Sequence, residues 1–199
     1  MRVTDAIFAL IAGRFIGFVL DDFFSEWGIT LPFYEVLVIW VILPFFALFC
    51  LWLAQLIGRR LLFVFQSAKH ILVGGFATVI DLKVFEFLIW LFSLVITINP
   101  LVAKSISFII ATLIKYVGNK FWTFQKHEKE NITQEAFKFL FVMSIGLLID
   151  ISIFYYLSHV IGPQFLISQT IWVKISVLVA AVVAAIWNFL GDKFLVFKK

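Results

Sequence analysis

The sequence predicts an all-α polytopic membrane protein of about six transmembrane helices, built from tandem parallel two-helix hairpin repeats. Three observations predict it. The first is composition: of 199 residues, 63% are hydrophobic and only 14% charged, with a mean hydropathy of +1.09. A soluble domain is roughly 45 to 50% apolar and about 25% charged. The second is that several apolar runs approach the roughly 20 residues that cross a bilayer as helix, too long for the alternating segments of about 10 residues in a transmembrane barrel. The third is self-similarity between the two halves of the last 130 or so residues.

The helical segments fall at 5–24, 32–56, 71–96, 101–122, 139–161 and 171–190. Turn signals separate three of the pairs: "EWGITLP" carries Gly28 and Pro32, "TINP" ends at Pro100, and "IGPQ" carries Gly162 and Pro163. None of these turns contains Lys or Arg. The other joints are basic, with Arg59, Arg60 and Lys69 in one and Lys126, Lys129 and Lys138 in the next; Arg2 stands at the start and Lys193, Lys198 and Lys199 at the end. The positive-inside rule then places both termini on the cytoplasmic side of a cytoplasmic (inner) membrane and the acidic turn "DDFFSEWG" outside. The net charge of +4 is read as a topology signal, and no stripe of exposed bases supports nucleic-acid binding. "MRVTDAIFALIAG" imitates a signal peptide, but Arg14 follows within the apolar region and no convincing cleavage site appears, so these residues are expected in the mature protein. Cys50, the single cysteine, is expected to be a small buried hydrophobe.

"KHILVGGFATVIDLKVFEFL" from Lys69 aligns without a gap with "KFLFVMSIGLLIDISIFYYL" from Lys138, matching Asp81 to Asp150. The helices that follow end alike, in "YVGNKFWTFQK" from Tyr116 and "FLGDKFLVFKK" from Phe189. Two spans return the chain to the side it left, so the copies are expected to lie parallel, related by an axis along the membrane normal. A fainter third copy is indicated by "GFVLDDFF" at Gly17 and "LIGRRLLFVFQ" at Leu56. The expected organisation is an N-terminal pair of helices at 1–66 and a four-helix domain at 67–199, with repeats at 67–126 and 136–199.

"LVGGFATVID", "NKFWTF" at Asn119 to Phe124 and "NFLGDKF" at Asn188 to Phe194 make residues from about 68 to 199 resemble the GtrA-like family. The resemblance implies a four-span unit serving cell-surface polysaccharide synthesis, which moves polyprenyl-phosphate-linked sugars across the cytoplasmic membrane or assists the glycosyltransferases that make or use them. It departs from the family in two places. The Asn that precedes the basic aromatic end is kept as Asn188 but replaced by Lys115 in the earlier hairpin, and the two N-terminal spans are additional.

Charges inside apolar spans carry the functional argument, since each costs at least roughly 2.5 to 3.5 kcal/mol at the bilayer centre. Depth arithmetic predicts that Asp81 meets Lys115, and that the same positions in the second hairpin bring Asp150 to Asn188. The plain alternative for both is internal glue that satisfies polar groups where lipid offers no hydrogen bonds. Lys120 and Lys193 sit among aromatic residues at the headgroup level, where lysines snorkel. Alternatively, Lys115, Asn119 and Lys120 contact a lipid phosphate entering from the inner leaflet. The predicted translocation path comprises Asp81, Lys115, Asn119, Lys120, Asp150, Asn188, Asp192 and Lys193. Lys104 and Lys174, near the outer face, are expected to snorkel outward or else to receive the same phosphate on that side, Lys83 and Glu86 to pair along one helix, and Gly74 and Gly75 to let helices approach.

No catalytic constellation is found: His70, His127 and His159 are scattered, and there is no phosphate-binding glycine loop. The expectation is a non-enzyme without cofactor or metal. Its predicted partners are a polyprenyl-phosphate-linked sugar lipid, the surrounding membrane lipids and, in one reading, a membrane glycosyltransferase; a homo-oligomer is left open. Two other classes compete with the flippase. One is a small proton-coupled drug or metabolite exporter working through Asp150. The other is a non-transporting scaffold that recruits a glycosyltransferase through "QKHEKENITQE".

Overall fold

A computed structural model describes residues 2–26, 32–93, 100–128, 131–164 and 168–198. Among them are six α-helices: α1 Val3–Glu26, α2 Phe33–Gly58, α3 Leu62–Ser93, α4 Pro100–Val117, α5 Ile132–Tyr155 and α6 Gln169–Gly191. The last three each run on into a π-helical turn, at Gly118–Thr123, Tyr156–Ile161 and Asp192–Val196. Helices α3 and α5 start well before the expected 71 and 139, at Leu62 and Ile132. Basic residues such as Lys69 and Lys138 end an apolar run, but with no Pro or Gly between 62 and 73 nothing ends the helix. Among the described residues three stretches, Val36–Gly58, Ile132–Ile161 and Ile175–Val196, are long and apolar enough to cross a membrane. Large apolar side chains such as Phe45, Trp90 and Leu178 lie exposed along the helices, and so does Cys50, contrary to its expected burial. In water so much exposed hydrocarbon would be untenable, and lipid is its solvent. The protein is an all-α membrane protein.

The chain forms two compact units, Met1–Gln125 and Lys126–Lys199. In the first, α1 packs on α2 through small residues: Ala9 and Ala12 are wholly buried, and a Cβ on Gly13 would stand 2.7 Å from Pro44 Cα. That close backbone approach is how membrane helices associate without a hydrophobic drive. Helix α3 then packs against α1, α2 and α4. Gly75 lies near Ile16, where a Cβ would be 3.1 Å from its Cδ1, whereas Gly74 faces open space, so only one of the pair allows an approach.

Both units repeat the same closing contacts. A Cβ on Gly118 would meet Val73 Cγ1 at 2.9 Å, and one on the matching Gly191 would meet Val142 Cγ1 at 2.4 Å. The Phe124 N–H donates to Asn119 O at 2.9 Å and the Phe197 N–H to Asp192 O at 2.7 Å. Phe124 faces His70 with ring centroids 6.4 Å apart, and Phe197 faces the matching Phe139 at 6.3 Å. The internal repeat is therefore a repeat of packing, down to individual pairs. In the N-terminal pair Gly58 lies against Phe65, and α1 and α2 close instead on Gly13 and Pro44.

Candidate functional site

Asp81 is the best-satisfied carboxylate within the apolar part of the first hairpin. Lys104 Nζ donates to its Oδ2 at 2.5 Å and Ser107 Oγ to its Oδ1 at 2.6 Å. Lys104 and Ser107 stand three apart on α4 and so share a face. This corrects two expectations. Asp81 does not pair with Lys115, and Lys104 turns to a carboxylate instead of simply snorkelling away. The error lay in measuring depth from Lys69 and Phe124 as if both marked the membrane surface. The hairpin closes with Gly118 on Val73, so Lys115, eight residues beyond Ser107 and about 12 Å along α4, lies too near the closed end. The pairing of Lys83 with Glu86 along α3 is as expected, at 2.9 Å.

The second hairpin lacks this cluster. By the repeat, Lys104 and Ser107 become Val177 and Ala180. Asp150 is half-buried in the middle of its span, and among the described residues it has no hydrogen bond or ion pair. Asn188 is not beside it, as expected, but one turn nearer the closed end: its Oδ1 stands 2.2 Å from where a Cβ on Gly146 would be. That oxygen is buried with no hydrogen-bond donor among the described residues. Only a glycine at 146 leaves it room. The side chain of Lys174 is outside the described residues.

At the closed end of each hairpin lie the remaining predicted residues. Asn119 and Asp192 are wholly buried within the π turns, and Thr123 Oγ1 donates to Asn119 Oδ1 at 3.3 Å. Lys120 is also buried; its Nζ donates to Tyr116 Oη at 3.3 Å and lies over the rings of Tyr116 and Phe121. Lys193 repeats that placement over Phe189 and Phe194. These lysines are held by aromatic faces, an interaction that strengthens as water is removed. Lys115 is half-buried on α4. The predicted residues thus separate into a mid-span set, Asp81 and Asp150, and a closed-end set of Asn119, Lys120, Asp192 and Lys193.

Sequence reading missed a further cluster. Asp5, almost fully buried, accepts from Lys69 Nζ at 2.5 Å, from Trp122 Nε1 at 2.9 Å and from the Arg2 backbone N–H. Lys69, also buried, lies 4.5 Å from the Phe65 ring and 4.9 Å from that of Trp122. Phe8, one turn beyond Asp5 on α1, packs on Trp122 with ring centroids 4.1 Å apart. The available signal was an acid in the first turn of an apolar helix and a lysine aligned with Lys138. Nothing local joined them.

The GtrA/DPMS transmembrane domain family matches residues 69–197. The chain belongs to this family. The matched region starts at Lys69 and covers both hairpins and their π-helical ends, the parts that repeat contact for contact. Membership connects the protein with the handling of polyprenyl-phosphate-linked sugars. Comparison with curated proteins and with solved structures finds no match.

Proposed function

We propose that the protein translocates polyprenyl-phosphate-linked sugars across the cytoplasmic membrane, with both termini cytoplasmic, supplying cell-surface glycan assembly or modification. The family match across both hairpins carries this reading. The charged positions support it physically. A lipid-linked sugar keeps its tail in hydrocarbon, so only its head and phosphate need polar neighbours on the way across. Asp81 with Lys104 and Ser107, and Asp150 in the other hairpin, would supply them at mid-depth. Lys115 would meet the phosphate nearer the cytoplasmic end. Lys120 and Lys193, already held by aromatic rings, would hold the closed ends in shape. No covalent step is required of the chain.

Asp150, without a described partner in mid-span, favours a second reading, a proton-coupled exporter in which that carboxylate alternately binds a proton and a cation. Vesicles containing only this protein and a labelled polyprenyl-phosphate sugar separate the two. Translocation of the lipid is expected, falling by about tenfold in Asp81→Asn as the path loses a charge, equivalent to about 1.4 kcal/mol on the barrier. Absent lipid movement, with proton-driven uptake of an organic cation that Asp150→Asn abolishes, would select the exporter. Absent transport of either kind, with a glycosyltransferase co-purifying through the 125–135 joint, would select the scaffold.

A further inference from the structure

The repeat supplies two versions of one surface, and α1 covers the first of them. In the first hairpin, Lys69, Val73 and Trp122 receive Asp5 and Phe8: a carboxylate sits on the lysine and an aromatic ring on the indole. The matching residues of the second hairpin are Lys138, Val142 and Leu195. There they line an open groove of about 420 Å³ together with Phe141, Phe194 and Lys198. Both lysines are exposed, and among the described residues neither has a hydrogen bond or ion pair. A surface that takes an anionic group with an apolar body in one copy has no such group on its lysines among the described residues in the other.

The differences between the copies say what kind of anion fits. Trp122, whose N–H suits a single carboxylate oxygen, becomes Leu195, and Gln125 becomes Lys198. One directed donor is thus exchanged for a second cation above a floor of hydrocarbon. Two lysines lining one groove suit the spread oxygens of a phosphate better than one carboxylate on a helix, and Lys binds phosphate as a point charge. Phe141 and Phe194 add an apolar wall for an acyl chain beside Leu195, which stands where Trp122 meets Phe8 in the first copy. Lys138 is twelve residues from Asp150, about 18 Å along the helix, so the groove stands apart from the mid-span position proposed for translocation.

We infer that this groove is a binding site for an anionic phospholipid of the surrounding bilayer, its phosphate between Lys138 and Lys198 and its chain along Phe141 and Phe194. It goes beyond the translocation reading, because the lipid here is a resident of the protein surface and not the cargo. Native mass spectrometry of the purified full-length protein, with phosphatidylglycerol or phosphatidylcholine added, tests it. Phosphatidylglycerol should be retained in preference, and Lys138→Gln with Lys198→Gln should weaken it about tenfold. Arg59→Gln with Arg60→Gln, the same loss of charge on an exposed joint, should change it less than about twofold. All four side chains are exposed, so folding is not at stake. Equal losses in both variants, or none in the lysine variant, would overturn the site. Tighter lysine-dependent binding of polyprenyl phosphate than of phosphatidylglycerol would overturn the assignment and make the groove part of the cargo path. A dimer that dissociates in the lysine variant would do so in favour of a second copy.

Discussion

Arg14 is a charge in an apolar helix, and its reason for being there is a proline on the neighbouring one. Pro44 lies inside α2 and has no N–H, so the carbonyl four residues earlier, that of Trp40, loses its helical donor. Arg14 Nη1 donates to that carbonyl at 2.9 Å, and its guanidinium lies 4.9 Å from the Trp40 ring centroid. In lipid an orphaned carbonyl has no water to turn to, so the donor must come from a neighbour. Arg14→Met and Pro44→Ala should therefore be coupled by about 1 kcal/mol or more in a double-mutant cycle followed by unfolding in mixed micelles. Once Pro44 is replaced by alanine, the Trp40 carbonyl regains a helical N–H, and Arg14 becomes dispensable to it. Single effects that add to within about 0.3 kcal/mol would show that the arginine does not serve the proline. Both residues are visible in the sequence; that they meet is not, because a helix pair's register depends on where Gly13 lets the backbones touch.

Register is also the lesson at the scale of the element. The hairpin repeat was legible because Asp81 and Asp150, and the NKF and DKF ends, recur at matching intervals. The pairing inside each hairpin was not, since counting inward from basic residues assumes that they mark the surface. Lys69 is buried on Asp5, and the two helices are aligned by Gly118 on Val73 and Gly191 on Val142. Those glycines are the readable signal in retrospect, each preceding an Asn–Lys or Asp–Lys pair where a helix end tightens against its partner. Gly191→Ala should accordingly destabilise the second hairpin by about 1 to 3 kcal/mol, because its Cβ would overlap a stiff β-branched side chain. Val142→Ala in the same chain should recover part of that loss by vacating the contested space. Thermal unfolding in detergent measures both variants. A Gly191→Ala protein as stable as the parent would show that the contact does not set the register.

At the scale of the whole molecule, membrane residence was legible from composition alone, whereas sidedness rests on how the basic joints are shared out. Arg59, Arg60, Lys126 and Lys138 all fall at the ends of the hairpins that close with basic aromatic turns, while the joint after α5 carries Pro163 and Gln164 and no Lys or Arg. Charges of this kind near span ends orient the chain as it inserts, and moving them across hydrocarbon afterwards costs several kcal/mol each. Gln134 and Gln164 are both exposed and lie at opposite ends of α5 and its π turn. With Cys50 replaced by alanine, single cysteines at these two positions should label differently in intact cells. A membrane-impermeant maleimide should modify position 164 from outside, and position 134 only after the membrane is permeabilised. Modification at 134 in intact cells would invert the protein and put the closed end of the second hairpin, with Lys193, on the outer face.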